Sequence, residues 1–273
     1  NKKLVTLQSN KKRNAMENII GRKSEIEELT SLYHSKKAEF VAVYGRRRAG
    51  KTYLIKELFR DKMAFYHTGM SPIDSAGDNL LLDQLKSFHN SLLRYGMEGE
   101  KQPETWLDAF FLLEKLLEDK DDGNRQVVFI DELPWMDTPR SGFITALEAF
   151  WNGWGCHRDN MMLVVCGSAN SWMLDNLVNN HGGLYGRTTY EVKLEPFTLA
   201  ECEAFLLGKG IIMSRYDIVQ AYMITGGIPY YLGYMRKGMS LAQNIDRLFF
   251  AKGARLHDEY DRLFASVFAK PEQ

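Results

Sequence analysis

The chain of 273 residues is 45% hydrophobic, which is enough apolar material for one large domain or two modest ones with a real core. Its 35 basic residues balance 35 acidic residues, so there is no overall positive field to attract nucleic acid. Three cysteines without a CxxC pair are typical of a reducing compartment, and no apolar run reaches the length of a membrane span. We therefore expect a cytoplasmic protein, and the six histidines show no H-E-x-x-H spacing that would favour a zinc site.

The first predicted elements lie before residue 40. Residues 1–18 form a polar, basic segment, and the alternation over residues 4–7 predicts either an edge strand or disorder. A helix follows, because Ser24 and Glu27 fit a capping box. The apolar residues of this helix recur at helical spacing and are Ile26, Leu29, Leu32 and Tyr33.

A glycine-rich loop stands between an apolar run at residues 40–44 and a second helical pattern. The loop fits G-x-x-x-x-G-K-[ST], and with the next residue it comprises Gly45, Arg46, Arg47, Arg48, Ala49, Gly50, Lys51, Thr52 and Tyr53. In such a phosphate-binding loop (P-loop), Gly45 and Gly50 let backbone N–H groups approach phosphate oxygens. Lys51 would reach the β- and γ-phosphates, and the Thr52 hydroxyl would bind Mg²⁺. The alternative is a glycine-rich turn with a surface lysine, but the strand and helix around the loop predict nucleoside triphosphate binding. The helix before the strand is either an ordinary packing helix or one that closes over the nucleotide base.

Two acidic residues end a buried strand further along the chain. Residues 63–68 predict a second strand, and two amphipathic helices follow before the apolar run at residues 127–130. Such a run indicates a strand buried on both faces, and Asp131 and Glu132 stand at its carboxyl end, where open α/β sheets bind ligands. Asp131 would hold Mg²⁺ directly or through water, and Glu132 would act as general base on the attacking water. The alternative is an ordinary strand end with solvated acids.

Two further strands complete the predicted sheet. Residues 161–167 form an apolar run followed by Ser168 and Asn170, and either side chain could sense the γ-phosphate. Because Ser and Asn also favour helix N-caps, the sensing and capping roles can coexist. Residues 190–194 alternate as a fifth strand, and Arg187 stands just before it.

The pattern changes near residue 196 to short capped helices, which predicts a small all-α domain. Three pairs fit capping boxes, the third more loosely: Thr198 with Glu201, Ser240 with Gln243, and Ser214 with Asp217. The last predicted helix carries Leu256, Leu263, Phe264, Val267 and Phe268. We therefore divide the chain into an N-terminal segment at 1–18, an α/β domain at 19–195 and a helical domain at 196–273.

Several motifs occur in a fixed order from residue 19 to the end of the chain. They are Ile20-Gly21-Arg22, Tyr44-Gly45-Arg46-Arg47-Arg48, Gly50-Lys51-Thr52, Phe129-Ile130-Asp131-Glu132, Cys166-Gly167-Ser168, Leu184-Tyr185-Gly186-Arg187, Leu194-Glu195-Pro196-Phe197 and Gly226-Gly227-Ile228-Pro229. A strand also intervenes between the P-loop strand and the Asp-Glu strand. Together these features resemble the AAA+ and STAND ATPases, and in particular the prokaryotic archaeal-type ATPase family, the ATPase_2 group. The resemblance implies an α/β P-loop NTPase fold with a five-stranded parallel sheet flanked by helices, followed by a small all-α lid.

The resemblance also implies roles for single residues. Ile20 and Gly21 would contact adenine, Ser168 would be the sensor-1 residue, and Pro229 matches the Gly-x-Pro element of STAND lids. Arg187 occupies the place of an arginine finger, which reaches a neighbouring subunit's site or, in a monomer, its own. The lid has no convincing sensor-2 arginine, which argues against conventional AAA+ motor behaviour. The chain also ends before the winged helix and nuclease-like domain with which family members usually continue.

The motifs and the resemblance predict a Mg²⁺-dependent molecular switch that binds ATP, hydrolyses it slowly to ADP and couples nucleotide state to a helical lid. Its output would go to an effector or a protein partner, or Arg187 would join copies in a homo-oligomer. The alternatives are a small-molecule P-loop kinase and a non-hydrolysing nucleotide-binding scaffold. A nucleic acid partner rests on family analogy alone.

Overall fold

The computed structural model describes residues 19–71, 79–179, 183–184, 186–259 and 261. The strand or disorder predicted at residues 4–7 lies outside the described residues, as does most of the last predicted helix. The described chain forms two compact units. The first contains residues up to 46 together with 51–194, and the second contains residues 47–50 and those from 195 onward. No helix within the described ranges is long and apolar enough to cross a membrane.

The first unit is built on a sheet of five parallel strands, which confirms the predicted sheet. The strands are β1 (Glu39–Tyr44), β2 (Met63–Thr68), β3 (Gln126–Asp131), β4 (Met161–Gly167) and β5 (Tyr190–Lys193). Their order across the sheet is β2-β3-β4-β1-β5. Every residue of β3 and β4 is buried, as expected for central strands that helices cover on both faces.

Helices pack on both faces of this sheet. They are α1 (Lys23–His34), α2 (Lys51–Phe59), α3 (Leu80–Arg94), α4 (Trp106–Asp119), α5 (Phe143–Gly153) and the short α6 (Asn170–Met173), which continues into a π-helical turn at Leu174–Val178. Side chains alternate across a strand, so Val41 and Val43 belong to the core under α1 and α2, while Phe40 and Ala42 belong to the core under α3, α4 and α5. The unit therefore has three layers with two separate apolar cores.

The strand order determines which segments meet. β4 lies between β1 and β3, with Val43 beside Cys166 and Val165 beside Ile130. Because all the strands run in one direction, the segments that follow β1, β3 and β4 emerge at the same edge of the sheet. Cys166 lies in the core under α1 and α2, and Asp131 has the strand parity of Phe129 in that same core.

The second unit is helical. Its helices are α7 (Leu199–Gly208), α8 (Arg215–Thr225), α9 (Pro229–Leu232) and α10 (Leu241–Ile245), which continues into a π-helical turn at Asp246–Phe250. The capping boxes at Thr198 and Ser240 are confirmed. Each of these side chains accepts the N3 amide, and the backbone amide of the same residue donates to the side chain of Glu201 or Gln243. Ser214 also accepts the Asp217 amide. Because these polar side chains satisfy free amides, they fix where the helices begin.

The capping box predicted at Ser24 and Glu27 is wrong. Gly21 and Arg22 both adopt left-handed backbone, with φ of 65° and 59°, so α1 already begins at Lys23. Arg22 is the N-cap without a side-chain cap, and its guanidinium lies 3.6 Å from the Glu25 carboxylate. The Ser24 hydroxyl donates to Glu25 instead.

Gly227 tests the packing of the helical unit, because its φ is +66° and an added Cβ would lie 2.4 Å from the Phe197 carbonyl oxygen. We predict that Gly227→Ala lowers the free energy of unfolding by about 3 kcal/mol, from backbone strain together with the steric clash. Gly238→Ala is the matched control, since its φ is +79° but an added Cβ meets nothing within 4 Å. Urea denaturation should give a loss of only about 1 kcal/mol for the control, from the left-handed backbone alone. Equal losses in both variants would contradict this account.

Candidate functional site

The glycine-rich loop after β1 depends on backbone that only glycine adopts easily. Gly45 has a φ of +136°, and an added Cβ would lie 2.4 Å from the carbonyl oxygen of Leu194. Gly50 has a φ of +98° in open space. The first glycine therefore serves close packing against the chain after β5, while the second serves the turn itself.

Lys51 is the first residue of α2, and its side chain is 5% exposed. The ammonium donates to the Gly45 carbonyl at 2.9 Å, to the Arg46 carbonyl at 3.1 Å and to the Ser168 hydroxyl at 3.3 Å. Three acceptors match the three hydrogens of an ammonium. A buried positive charge is thereby held at the base of the loop.

Asp131 is held by donors from three directions, and its side chain is 3% exposed. The Thr52 hydroxyl donates to Oδ2 at 2.8 Å, and the Glu132 amide donates to Oδ1 at 3.0 Å. The Cys166 thiol also donates to Oδ1, at 2.7 Å. Burial, and then the charge and hydrogen bond of Asp131, raise the pKa of Cys166 well above its usual range, so this thiol remains a donor at neutral pH. The carboxylate is fixed in one orientation beside Thr52.

Cys166 belongs to the candidate site, but the sequence interpretation gave it no role, because it lies within an apolar run. The signal is the strand register. Val165 pairs with Ile130, so the next residues of β4 and β3, Cys166 and Asp131, are neighbours. The sequence pattern of one strand does not show which residue of the neighbouring strand lies beside it.

Glu132 follows β3 in a left-handed conformation, with φ of 48° and ψ of 47°. Strained non-glycine backbone of this kind is concentrated at functional sites. The Ser168 hydroxyl donates to Glu132 Oε1 at 2.9 Å. Burial above all, and then the charge of Asp131, raise the pKa of Glu132, whereas Ser168 and Lys51 lower it. A carboxylate with a raised pKa is a better proton acceptor than an exposed one.

Both polar residues after β4 contact the loop or the acids. Ser168 joins Lys51 to Glu132, and the Asn170 carboxamide oxygen accepts the Gly45 amide at 3.0 Å. The capping role that the sequence allowed is not observed. Helix α6 begins at Asn170 after Ala169 and has no side-chain cap. The segment therefore positions the loop and the acids rather than a helix end.

The other predicted residues of the first unit lie apart from this cluster or at its margin. Ile20 is half-buried, Arg46 is exposed and Tyr53 is 51% exposed. Arg187 is exposed in the turn before β5, where Tyr190 pairs with Val41 near the start of β1. Because the loop follows the opposite end of β1, Arg187 lies at the far edge of the sheet from Lys51.

The predicted residues that belong to the second unit are Arg47, Arg48, Ala49, Gly50 and Pro229. Arg48 has a φ of +69°, and its guanidinium lies 4.3 Å from the Tyr230 ring centroid. It also pairs with the Glu259 carboxylate, to which the Tyr231 hydroxyl donates at 2.8 Å. Pro229 is the first residue of α9. The Arg48 side chain is therefore already engaged within its own unit.

The donor set fits a magnesium ion bound together with a polyphosphate. Thr52 and Asp131 offer a hydroxyl and a carboxylate oxygen in contact, and Mg²⁺ is usually bound by one or two such oxygens plus phosphates and water. The described residues contain no group of three His, Cys, Asp or Glu side chains that could hold a metal by themselves. Any metal here would depend on the phosphates of a ligand.

The glycine loop, the buried lysine and the acids at adjacent strand ends define a P-loop nucleoside-triphosphate-binding fold. The chain belongs to a family of ATPase domains found predominantly in Archaea, whose sequence profile matches residues 19–235. This confirms the expected family, and it covers both the site and part of the helical unit.

Three similar proteins come from archaea. The uncharacterized protein MJECL04 of Methanocaldococcus jannaschii is 27% identical over 215 residues, which are 78% of this chain and 43% of that relative. The chain thus spans less than half of that relative's length. A stretch of 43 residues, 16% of this chain, is 44% identical to the uncharacterized ATP-binding protein MJ0423 of the same organism and covers 73% of it. The Walker-type ATPase of Pyrococcus abyssi superposes with a TM-score of 0.61 at 20% identity, over 90% of this chain and 76% of that one.

Proposed function

We propose that the chain is a molecular switch of the AAA+/STAND type that binds ATP and hydrolyses it slowly with Mg²⁺. The observation that carries the proposal is the pair of contact chains at one sheet edge. One runs from Lys51 through Ser168 to Glu132, and the other joins Thr52 to Asp131. The family of ATPase domains supports the same activity.

The loop supplies the binding energy for the phosphates. The Lys51 ammonium lies at the amino-terminal end of α2 and supplies positive charge, to which the helix end and the backbone amides of the loop would add. A triphosphate would exchange its oxygens for the two loop carbonyls that Lys51 now contacts. The remaining arginines of the loop, Arg46 and Arg47, would add longer-range attraction, and Ala49 and Tyr53 would line the loop.

Thr52 and Asp131 would hold Mg²⁺, which when bound neutralises charge on the phosphate oxygens. The Cys166 thiol and the Glu132 amide keep the Asp131 carboxylate turned toward Thr52. Only the backbone of Glu132 holds Asp131, so its side chain would act on water.

Glu132 would accept a proton from the attacking water, and Ser168 would set its orientation. Ser168 also contacts Lys51. If the γ-phosphate displaced the Lys51 ammonium, Ser168 would therefore transmit the change to the Glu132 carboxylate. Ser168 would thus act as the sensor, with Asn170 holding the first loop amide.

The family resemblance suggests the remaining roles. Ile20, Gly21 and Pro229 would contact adenine, and the helical domain from residue 196 would follow nucleotide state as a lid. All three cysteines are free, which fits a cytoplasmic location.

Lys51→Ala should abolish Mg-ATP binding, whereas Glu132→Gln should bind ATP and lose turnover by about 10² or more, because only the base is removed. Calorimetry and phosphate release measure the two effects. Lys56→Ala, on the same helix but stacked on the Tyr66 ring, is the matched control and should behave as wild type. Unchanged turnover in Glu132→Gln would remove the catalytic assignment, and ATP binding without any turnover in wild type would favour a scaffold.

Ser168→Ala should move the acid limb of the pH–rate profile to higher pH. The Ser168 hydrogen bond lowers the pKa of Glu132, so its loss raises that pKa further, and the base becomes protonated at a higher pH. The kcat of ATP hydrolysis measured between pH 5 and pH 9 tests this. Ser171→Ala, an exposed serine in the same segment, is the control. An unshifted limb in Ser168→Ala would show that Ser168 does not tune the base.

Arg187 would act only on a neighbouring subunit, since it lies at the opposite sheet edge from its own loop. We predict that Arg187→Ala and Lys51→Ala are each inactive alone but recover activity when mixed, because one supplies the site and the other the arginine. Arginine fingers contribute on the order of 10³–10⁵ in rate. The reference is a mixture of Lys51→Ala with Arg94→Ala, in which an exposed arginine elsewhere is replaced. Its activity is the level to compare with, because Arg94→Ala leaves both the site and Arg187 unaltered. No recovery in the first mixture would leave Arg187 without a catalytic role.

A further inference from the structure

The helical unit carries an open apolar groove of about 920 Å³. Its walls are α8 on one side and α10 with the following π-helical turn on the other. The large apolar side chains that line it and are more than a third exposed are Ile212, Tyr216, Val219, Met223, Ile224 and Phe250. Large apolar side chains that lie next to one another on a water-exposed surface are typical of an interaction site.

Helix α8 has two apolar stripes. Ile218, Ala221 and Thr225 are buried and face the unit's interior. Tyr216, Val219 and Met223 recur at spacings of three and four residues and are 73%, 41% and 76% exposed. A helix that is apolar on two sides is normally covered on both. The outer stripe of α8 therefore has the pattern of a packed surface.

The shape and composition of the groove suit a helix. An apolar groove lined by helices is the usual receptor for an amphipathic helix with anchors at helical spacing. Three methionines, Met213, Met223 and Met239, line the groove. Their flexible side chains adapt to the anchors of a partner.

The charged residues of the groove favour a partner of opposite charge. The charged residues that line it are Asp217 and Asp246, both acidic. A second copy docked face to face would bring these carboxylates together, which opposes self-association. We propose that this groove binds an amphipathic helix of a partner protein, with apolar anchors on one face and lysine or arginine beside them. The inference rests on residues 212–250 and does not depend on the nucleotide site.

The test uses the full chain and a fluorescein-labelled peptide of 18 residues. The peptide carries leucine and phenylalanine at positions i, i+3, i+4 and i+7, with lysines flanking that face. Anisotropy titration should give saturable binding that Met223→Ser weakens about tenfold. Leu207→Ser is the matched control, because Leu207 is 61% exposed on α7 outside the groove, and binding should change less than twofold. Met223 is largely exposed, so unchanged circular dichroism and melting should show that its variant folds.

A second peptide, with glutamate in place of every lysine, tests the charge argument. Wild type should bind it about tenfold more weakly than the basic peptide, and the double variant Asp217→Asn with Asp246→Asn should remove that preference. Equal binding of both peptides by wild type would overturn the proposal. So would binding that Met223→Ser leaves unchanged, or light scattering that shows a dimer which Met223→Ser dissociates, since a second copy would then be the occupant.

Discussion

The position of β4 between β1 and β3 is the constraint on which the site depends. It brings three strand ends together at one edge, although their residues lie far apart in sequence. Ser168 can then contact both Lys51 and Glu132, because the strand that carries it separates the loop from the acids. With a different strand order, Lys51, Ser168 and Glu132 would not lie next to one another.

The charges at this edge of the sheet interact strongly because they are buried. One buried ammonium, Lys51, faces two carboxylates, Asp131 and Glu132, of which Asp131 is almost fully buried. The imbalance is one negative charge, and it is met in part by hydrogen bonds to Asp131 and by the raised pKa of Glu132. A divalent cation held by Thr52 and Asp131 would reverse that imbalance and favour the triphosphate. The loop, the proposed metal site and the proposed base would therefore form one coupled system.

Much of this could be predicted from the sequence because the signals are local. The P-loop spacing, the apolar runs of the five strands and the serine and threonine caps of the helical unit each depend on residues close together in the chain. The Cys166 contact with Asp131 was not predictable, since it depends on register between β3 and β4. The prediction of a capping box at Ser24 was wrong for a different reason. Left-handed backbone at Gly21 and Arg22 overrode a side-chain pattern that is only a weak preference.

The most direct measurement compares ATP binding with and without Mg²⁺ by calorimetry, in wild type and in Asp131→Asn. If the loop and Asp131 bind one Mg²⁺-bound triphosphate together, Mg²⁺ should strengthen ATP binding at least tenfold in wild type. The same addition should change binding less than twofold in Asp131→Asn. An equal effect of Mg²⁺ on both proteins, or no heat of ATP binding to wild type, would contradict the account.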